Sequence, residues 1–262
     1  CSSDLTFDRL VSQGHEVHVA YQVKGNIAVS DHDALKFIEV SKDMFPNDSK
    51  QSISSLIKEL KNNKPDKIDS QAVRDLKGFI RKREAIAATR YIGIPDSNTH
   101  FMNLPFYDTG RIKKNPPSKK DVLITASLLN KIKPHQIFAA GDLEDPHGTH
   151  KVCLDIILDA LNTLKGEKFI KDCWLWLYRG AWLDWDIHEV DMAVPMSPAQ
   201  VLRKRKAIFF HQTQKDGVMF QGQDHREFWV RAEERNSETA LKYKNLGLAD
   251  YAAIESFKRH YY

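Results

Sequence analysis

The chain has 262 residues, 42% hydrophobic and 28% charged, and its 39 basic residues against 35 acidic ones leave a net charge of +4. That length suits one large α/β domain with a buried core, and the composition is ordinary for a globular enzyme. No apolar run approaches the ~18 residues of a membrane span, and no segment reads as a signal peptide.

Cys1, Cys153 and Cys173 show no CxxC spacing, which argues against a disulfide framework and fits a reducing cytoplasm. The basic clusters at 81–83, 113–114 and 203–206 carry no recognition motif. They read as solvated faces and argue against nucleic-acid binding. A phosphorylated or acidic substrate stays open.

In chain order, residues 6–12 read as the end of a helix closed by Gly14. No Met opens the chain, and Cys1-Ser2-Ser3-Asp4-Leu5 runs directly into that half-helix. Residues 1–5 are therefore read as non-native. Residues 15–23 alternate and are β-branched, predicting a strand with His15 and His18 on its surface. Lys24-Gly25-Asn26 forms the turn after it. Helices are predicted over 31–41 and 52–60, a polar linker over 62–69 and a long helix over 70–91. Residues 40–70 read as a helical insertion too polar for a core of its own.

A short strand is predicted at 97–102, then a long loop over 104–118, of the kind that often serves function. A helix over 119–132 and a strand over 137–140 come next. Residues 172–178 form a near-continuous apolar strand, as in a sheet covered on both faces. An outer strand is predicted over 187–193 and a helix from Ser197-Pro198 towards His211. Segments 224–235, 237–244 and 251–258 read as a helical tail within about 224–262. Strand–helix alternation over the first 180 residues predicts a layered, mostly parallel α/β sheet.

Between the strand at 137–140 and the helix that follows it, Asp145-Pro146-His147-Gly148-Thr149-His150 puts two histidines three apart. Such loops lie at the carboxyl ends of strands, where α/β folds bind ligands, and imidazole is the commonest metal ligand. The other reading is a helix cap, with Thr149 or Asp145 accepting backbone N–H bonds.

With these residues in view, the chain resembles the LmbE/PIG-L family of zinc-dependent N-deacetylases over about 6–256. The resemblance is carried by the runs at 6–11, 14–21 and 25–31, and by Arg81 with Glu84-Ala85. Runs at 91–96, 98–107, 134–136, 145–150, 178–182 and 193–195 add to it. It is strongest to the deacetylase-like C-terminal region of two-domain bacterial proteins, mostly from Bacteroidetes. Their N-terminal half resembles glucosamine-6-phosphate deaminase.

The resemblance implies a Rossmann-like three-layer sandwich with a mostly parallel sheet, here without its first strand, in a single domain over 6–262. It implies Zn2+ as cofactor and an N-acetylated amino sugar as substrate. His150 becomes a zinc ligand, and His147 the catalytic group that stabilises the oxyanion. Thr149 stands where many members carry Asp. The family's strand-end Pro-His-Pro-Asp-Asp supplies the other ligands and the general base, and this sequence lacks it. As given, the chain is expected to bind zinc weakly and to be inactive, beside a deaminase-like domain in the parent and in a possible oligomer. The alternative is a non-catalytic accessory region.

Four further residues have two readings each. Arg81 reaches the substrate pocket in relatives, or is a surface helix cation. Asp96 binds sugar hydroxyls or forms a turn, the turn being preferred. Asn26 faces the site or is a plain turn residue. His211, in His211-Gln212-Thr213-Gln214, resembles a His-x-Ser-Gln element near the site, or stabilises a helix end. Trp174, Trp176, Trp182 and Trp185 read as packing, with Trp182 and Trp185 the best candidates to stack on a sugar.

Overall fold

Segments whose ends carry their own hydrogen-bond caps organise the chain. In the computed structural model, which describes residues 4–44, 50–63, 68–111, 113–141, 148–179, 184–215 and 225–262, α1 (Asp4–Ser12) opens the fold. It stops at Gly14, whose φ of 85° lets His15 N–H reach back to Leu10 O at 3.0 Å. A short strand β1 (Val19–Tyr21) leads through a 3-10 turn into α2 (Asp31–Met44). After α3 (Lys50–Lys61), Ser70 caps the long α4 (Gln71–Tyr91) by accepting from Val73 N–H at 3.3 Å.

The strand β2 (Thr99–Phe101) pairs in parallel with β1. The long loop after it is tied at both ends by the fully buried Asp121, whose carboxylate accepts from Phe106 N–H at 3.0 Å and Ser118 N–H at 2.8 Å. That second bond is half of the box that starts α5 (Lys119–Ile132). Then come β3 (Gln136–Ala140), α6 (Thr149–Thr163), β4 (Trp174–Tyr178) and β5 (Met192–Met196). Ser197 and Gln200 cap α7 (Pro198–Phe209), which is followed by α8 (Gln212–Lys215), α9 (Phe228–Asn245) and β6 (Ala253–His260).

The described strands form two sheets, β1-β2 and β3-β4-β6-β5. Pairing is parallel at β1-β2 and β3-β4, and antiparallel where β6 inserts between β4 and β5. One face of the larger sheet packs Leu175 and Leu177 against Leu154 and Leu161 of α6. The other gathers Trp176, Val194 and Phe257. The apolar strand expected at 172–178 is thus covered on both faces.

Two expectations are corrected. The helix expected at 251–258 is replaced by the strand β6 from Ala253 onwards, because Ala253 to Phe257 are buried between two partner strands. Sheet context overrides the helix-forming composition of Ala, Glu and Lys. The outer strand lies at Met192–Met196, residues 187–189 being a 3-10 turn. The stretch 40–70 packs onto its neighbours: Leu60 of α3 joins Ile38 of α2 and Val73 and Ile80 of α4 in one shared cluster. Beside it the buried Lys77 ammonium holds Asp31 and Asp69 at 2.6 and 2.7 Å.

Nor is 203–206 simply a solvated face. Lys204 is buried against Glu255 at 2.7 Å, Arg203 pairs with Asp8, and Arg205 pairs with Glu233. No helix among the described residues is long and apolar enough to cross a membrane.

Candidate active site

A cavity of about 1720 Å³ opens at the carboxyl ends of β1 and β3. At that rim α4 supplies Arg81, whose guanidinium donates to Glu84 Oε2 at 2.7 Å, one helical turn on. Glu84 is buried and also accepts from Thr213 N–H at 2.8 Å and Thr213 Oγ1 at 2.9 Å. One carboxylate therefore fixes both the Arg81 head and the short helix α8. Gln214 adds a bond to Ala28 O at 2.8 Å, tying α8 to the turn after β1.

His211 lies buried where α7 ends, its N–H on Ile208 O at 2.9 Å, and it lines the cavity. Burial first, and then the Arg81 charge, push its imidazole well below the ordinary range. It is neutral at physiological pH and able to accept a hydrogen bond. Tyr107 enters from the long loop; burial raises its phenol to about 12, so it stays a donor. Lys114 sits over the Tyr107 ring at 3.7 Å, and burial pulls its amine down to about 8. A cation, a neutral imidazole, a phenol and a tunable amine can together hold a polyhydroxylated or anionic ligand.

His150 is the second residue of α6 and also lines the cavity. The cap there is Gly148, in the left-handed region at φ 63° and without a side-chain bond. Thr149 is already helical, so its reading as the cap is corrected. His147, Asp145 and Trp182 lie outside the described residues. No group of three or more His, Cys, Asp or Glu among the described residues could hold a metal. His150 belongs to no such group, and these residues alone do not fit the expected zinc.

The remaining candidates sit elsewhere. Asp96 is exposed in the turn before β2, at the amino end of the strand, gripped by Arg90 through bonds of 2.7 and 2.5 Å. Of its two readings, its carboxylate serves the turn. Asn26 is buried at the start of its 3-10 turn, while its neighbours Gly25, Ile27 and Ala28 line the cavity. Trp185 is buried, donates to Leu177 O at 3.2 Å and lies under Arg179, which leaves its ring no face for a sugar.

Reasoning from sequence missed Tyr107 and Lys114, and the bond of Thr213 to Glu84. The loop length at 104–118 was the one signal for Tyr107 and Lys114. It also missed a stacked pair at the opposite end of the cavity. His18 Nδ1 meets His100 Nε2 at 3.0 Å, and His18 Nε2 meets Glu16 at 3.1 Å.

Residues 2–161 match the family profile described as PIG-L, GlcNAc-PI de-N-acetylase. A glucosamine-6-phosphate deaminase-like protein of Bacteroides thetaiotaomicron is 48% identical over 261 residues. That match covers 96% of this chain but 39% of the relative. The N,N'-diacetylchitobiose deacetylase of Pyrococcus horikoshii shares the fold, with a TM-score of 0.57 at 15% identity, over 99% of this chain and 78% of that one. The 4-carboxy-2-hydroxymuconate hydratase of Pseudomonas putida also does, with a TM-score of 0.56 at 14% identity, over 99% and 90%.

Proposed function

Because the chain belongs to the PIG-L family of N-deacetylase-like proteins, we propose that it is the amide-cleaving region of a longer, two-part polypeptide. The substrate class is an N-acetylated amino sugar or its phosphate. Water adds to the acetamide carbonyl, the C–N bond breaks, and acetate and a free amine leave. The observation that carries this reading is the Arg81–Glu84–Thr213 lock beside neutral His211, at the same rim as His150.

Each described residue has a part. Arg81, held by Glu84, orients a sugar oxygen or phosphate. His211 accepts from a sugar hydroxyl, and the Tyr107 phenol donates. Lys114 answers an anionic group. The family's zinc would polarise the carbonyl and ready the water, with His150 as one ligand. His147 would stabilise the oxyanion. The motif that supplies the family's other ligands is absent from this sequence, so the 262-residue chain by itself is expected to hold zinc weakly and release no acetate.

The test restores an upstream segment carrying a His and a paired Asp, then measures zinc content and acetate release from N-acetylglucosamine 6-phosphate. His150→Ala should remove the metal. His147→Ala should leave the metal and slow turnover by about 10²–10³-fold, the scale of one oxyanion donor. Metal and full activity retained in both variants would sink the reading.

The second reading, an accessory region beside a deaminase, is favoured by the chain spanning only 39% of its deaminase-like relative. It predicts no acetate release from the restored protein. It also predicts that deleting this region alters the oligomer of the longer polypeptide.

A further inference from the structure

Buried cations in this chain meet their carboxylates closely. Lys77 lies 2.6 and 2.7 Å from Asp31 and Asp69, and Lys204 lies 2.7 Å from Glu255. At the cavity rim Arg81 lies 2.7 Å from Glu84. Two further cations of that rim, Lys24 and Lys114, are matched more loosely.

Lys24 follows β1, and its stem lies beside Gly78 of α4. Its ammonium is 3.4 Å from Asp75 and 4.0 Å from Asp108, carboxylates that are 41% and 46% exposed. Asp75 also accepts from Gln71 at 3.0 Å. Exposed pairs at such distances are worth little. Lys114 comes from the loop after β2, lies over the Tyr107 ring and donates to Arg111 O at 2.7 Å. Asp108 favours its charged form, yet burial outweighs that carboxylate and pulls the amine down to about 8. One exposed carboxylate thus serves two ammonium groups.

This pair suits a dianion. A neutral sugar brings no charge, and a carboxylate ligand brings one. A phosphomonoester brings nearly two, with three strong acceptor oxygens, and lysine binds phosphate as a point charge. The two ends of the rim also differ. Lys24 and Lys114 stand in the segments after β1 and β2, which pair in one sheet. His150 belongs to the helix after β3, a strand of the other sheet. A ligand lying across the rim meets ammonium groups at one end and imidazole at the other.

We propose that Lys24 and Lys114 form a phosphate clamp, so that the sugar this site takes is a phosphomonoester whose phosphate lies away from His150. The identity of the sugar rests on the amide-cleavage reading; the clamp itself binds without metal or turnover. Arg81 is then left to a sugar oxygen. The clamp also couples binding to a proton. Around Lys114 stand Tyr107, Asp108 and Arg111 of its own loop, with Lys24, Asp75 and Arg81 beyond them. A dianion placed among these groups favours the charged amine. At pH 8, where the amine is about half protonated, binding should take up about 0.5 proton.

The test is titration calorimetry of the 262-residue chain at pH 8, in two buffers of different ionisation enthalpy. N-acetylglucosamine 6-phosphate should bind at least about tenfold tighter than N-acetylglucosamine, with proton uptake, and inorganic phosphate should compete with it. Lys24→Met and Lys114→Met should each weaken the phosphorylated sugar about tenfold or more. Lys114→Arg should keep the affinity and lose the proton uptake. Equal affinity for the two sugars, no competition by phosphate, or unweakened binding in both Met variants overturns the clamp. The comparison of the two sugars needs no variant, so a misfolded variant cannot rescue it. Acetate release then separates the two ideas in the protein restored with its upstream metal ligands. No acetate, with the phosphorylated sugar still bound through Lys24 and Lys114, leaves the clamp standing and sinks amide cleavage. Equal acetate release from both sugars sinks the clamp and leaves amide cleavage standing.

Discussion

The two sides of the molecule treat buried polar groups in opposite ways. Around β6, Lys204 Nζ donates to Glu255 and Asn236, both at 2.7 Å, and Glu255 also accepts from Thr6 N–H at 3.0 Å. Asn236 in turn donates to Ile254 O at 3.1 Å. Around the cavity, Arg81, His211, Tyr107 and Lys114 keep part of their surroundings open to whatever enters. The first side is a closed network that fixes α1, α7, α9 and β6. The second holds His211, Tyr107 and Lys114, whose affinities for protons are already displaced. Scaffold and reactive surface are thus separate regions, and substitutions should report which side they touch.

The largest expected effect is Lys204→Met. It leaves Glu255, whose side chain is 3% exposed, buried without its counter-charge, at a cost of about 3–5 kcal/mol. Urea unfolding measures it, and a loss under about 1 kcal/mol would show that the network is not closed. Next comes a paired truncation. Phe257→Ala, in the fully buried centre of β6, should cost about 3–5 kcal/mol. Leu128→Ala, whose side chain lines the cavity, should cost about 1 kcal/mol. Equal costs would erase the contrast between the sides.

The pH response sharpens it further. His211 is held neutral when folded, whereas the unfolded chain takes up that proton near pH 6.5. The folded pKa is depressed, so this contribution is full above about pH 6.5 and is lost as pH falls below it. His100, lowered chiefly by burial, acts in the same direction. On the other side Glu189, held low by its bond to Lys258, stays ionised through that window. The urea midpoint should therefore fall between pH 7 and 5, and His211→Gln should flatten the slope. An unchanged slope would remove His211 as its source. The smallest effect is local: acetic anhydride should label Lys114 with a midpoint near pH 8, against about 10.4 for an ordinary lysine.

How much of this was legible in the sequence depended on the range of the interactions. The helices α4 and α5 follow from their own caps and periodicity, and β4 from its apolar run. Arg81 was legible through the family run it shares with Glu84-Ala85, and the partner that holds it, Glu84, lies three residues on. The other partner of Glu84, Thr213, is 129 residues away, and no local pattern announces it. The partner of Asp96 was hidden too, since only the folded turn shows Arg90 closing on its carboxylate. Strand β6 was invisible because its burial comes from β4 and β5, with nothing in Ala253–His260 to signal it.

The place of β6 has a kinetic consequence. A ribosome delivers β4 and β5 well before β6, yet these two strands meet only through it. Thr6 likewise waits for Glu255 across 249 residues. Contacts this distant in sequence slow folding, because the chain loses its freedom before they form. The nascent polypeptide therefore carries open sheet edges through α7 and α9, the interval in which a chaperone, or a neighbouring chain on the same polysome, has its best chance to bind it.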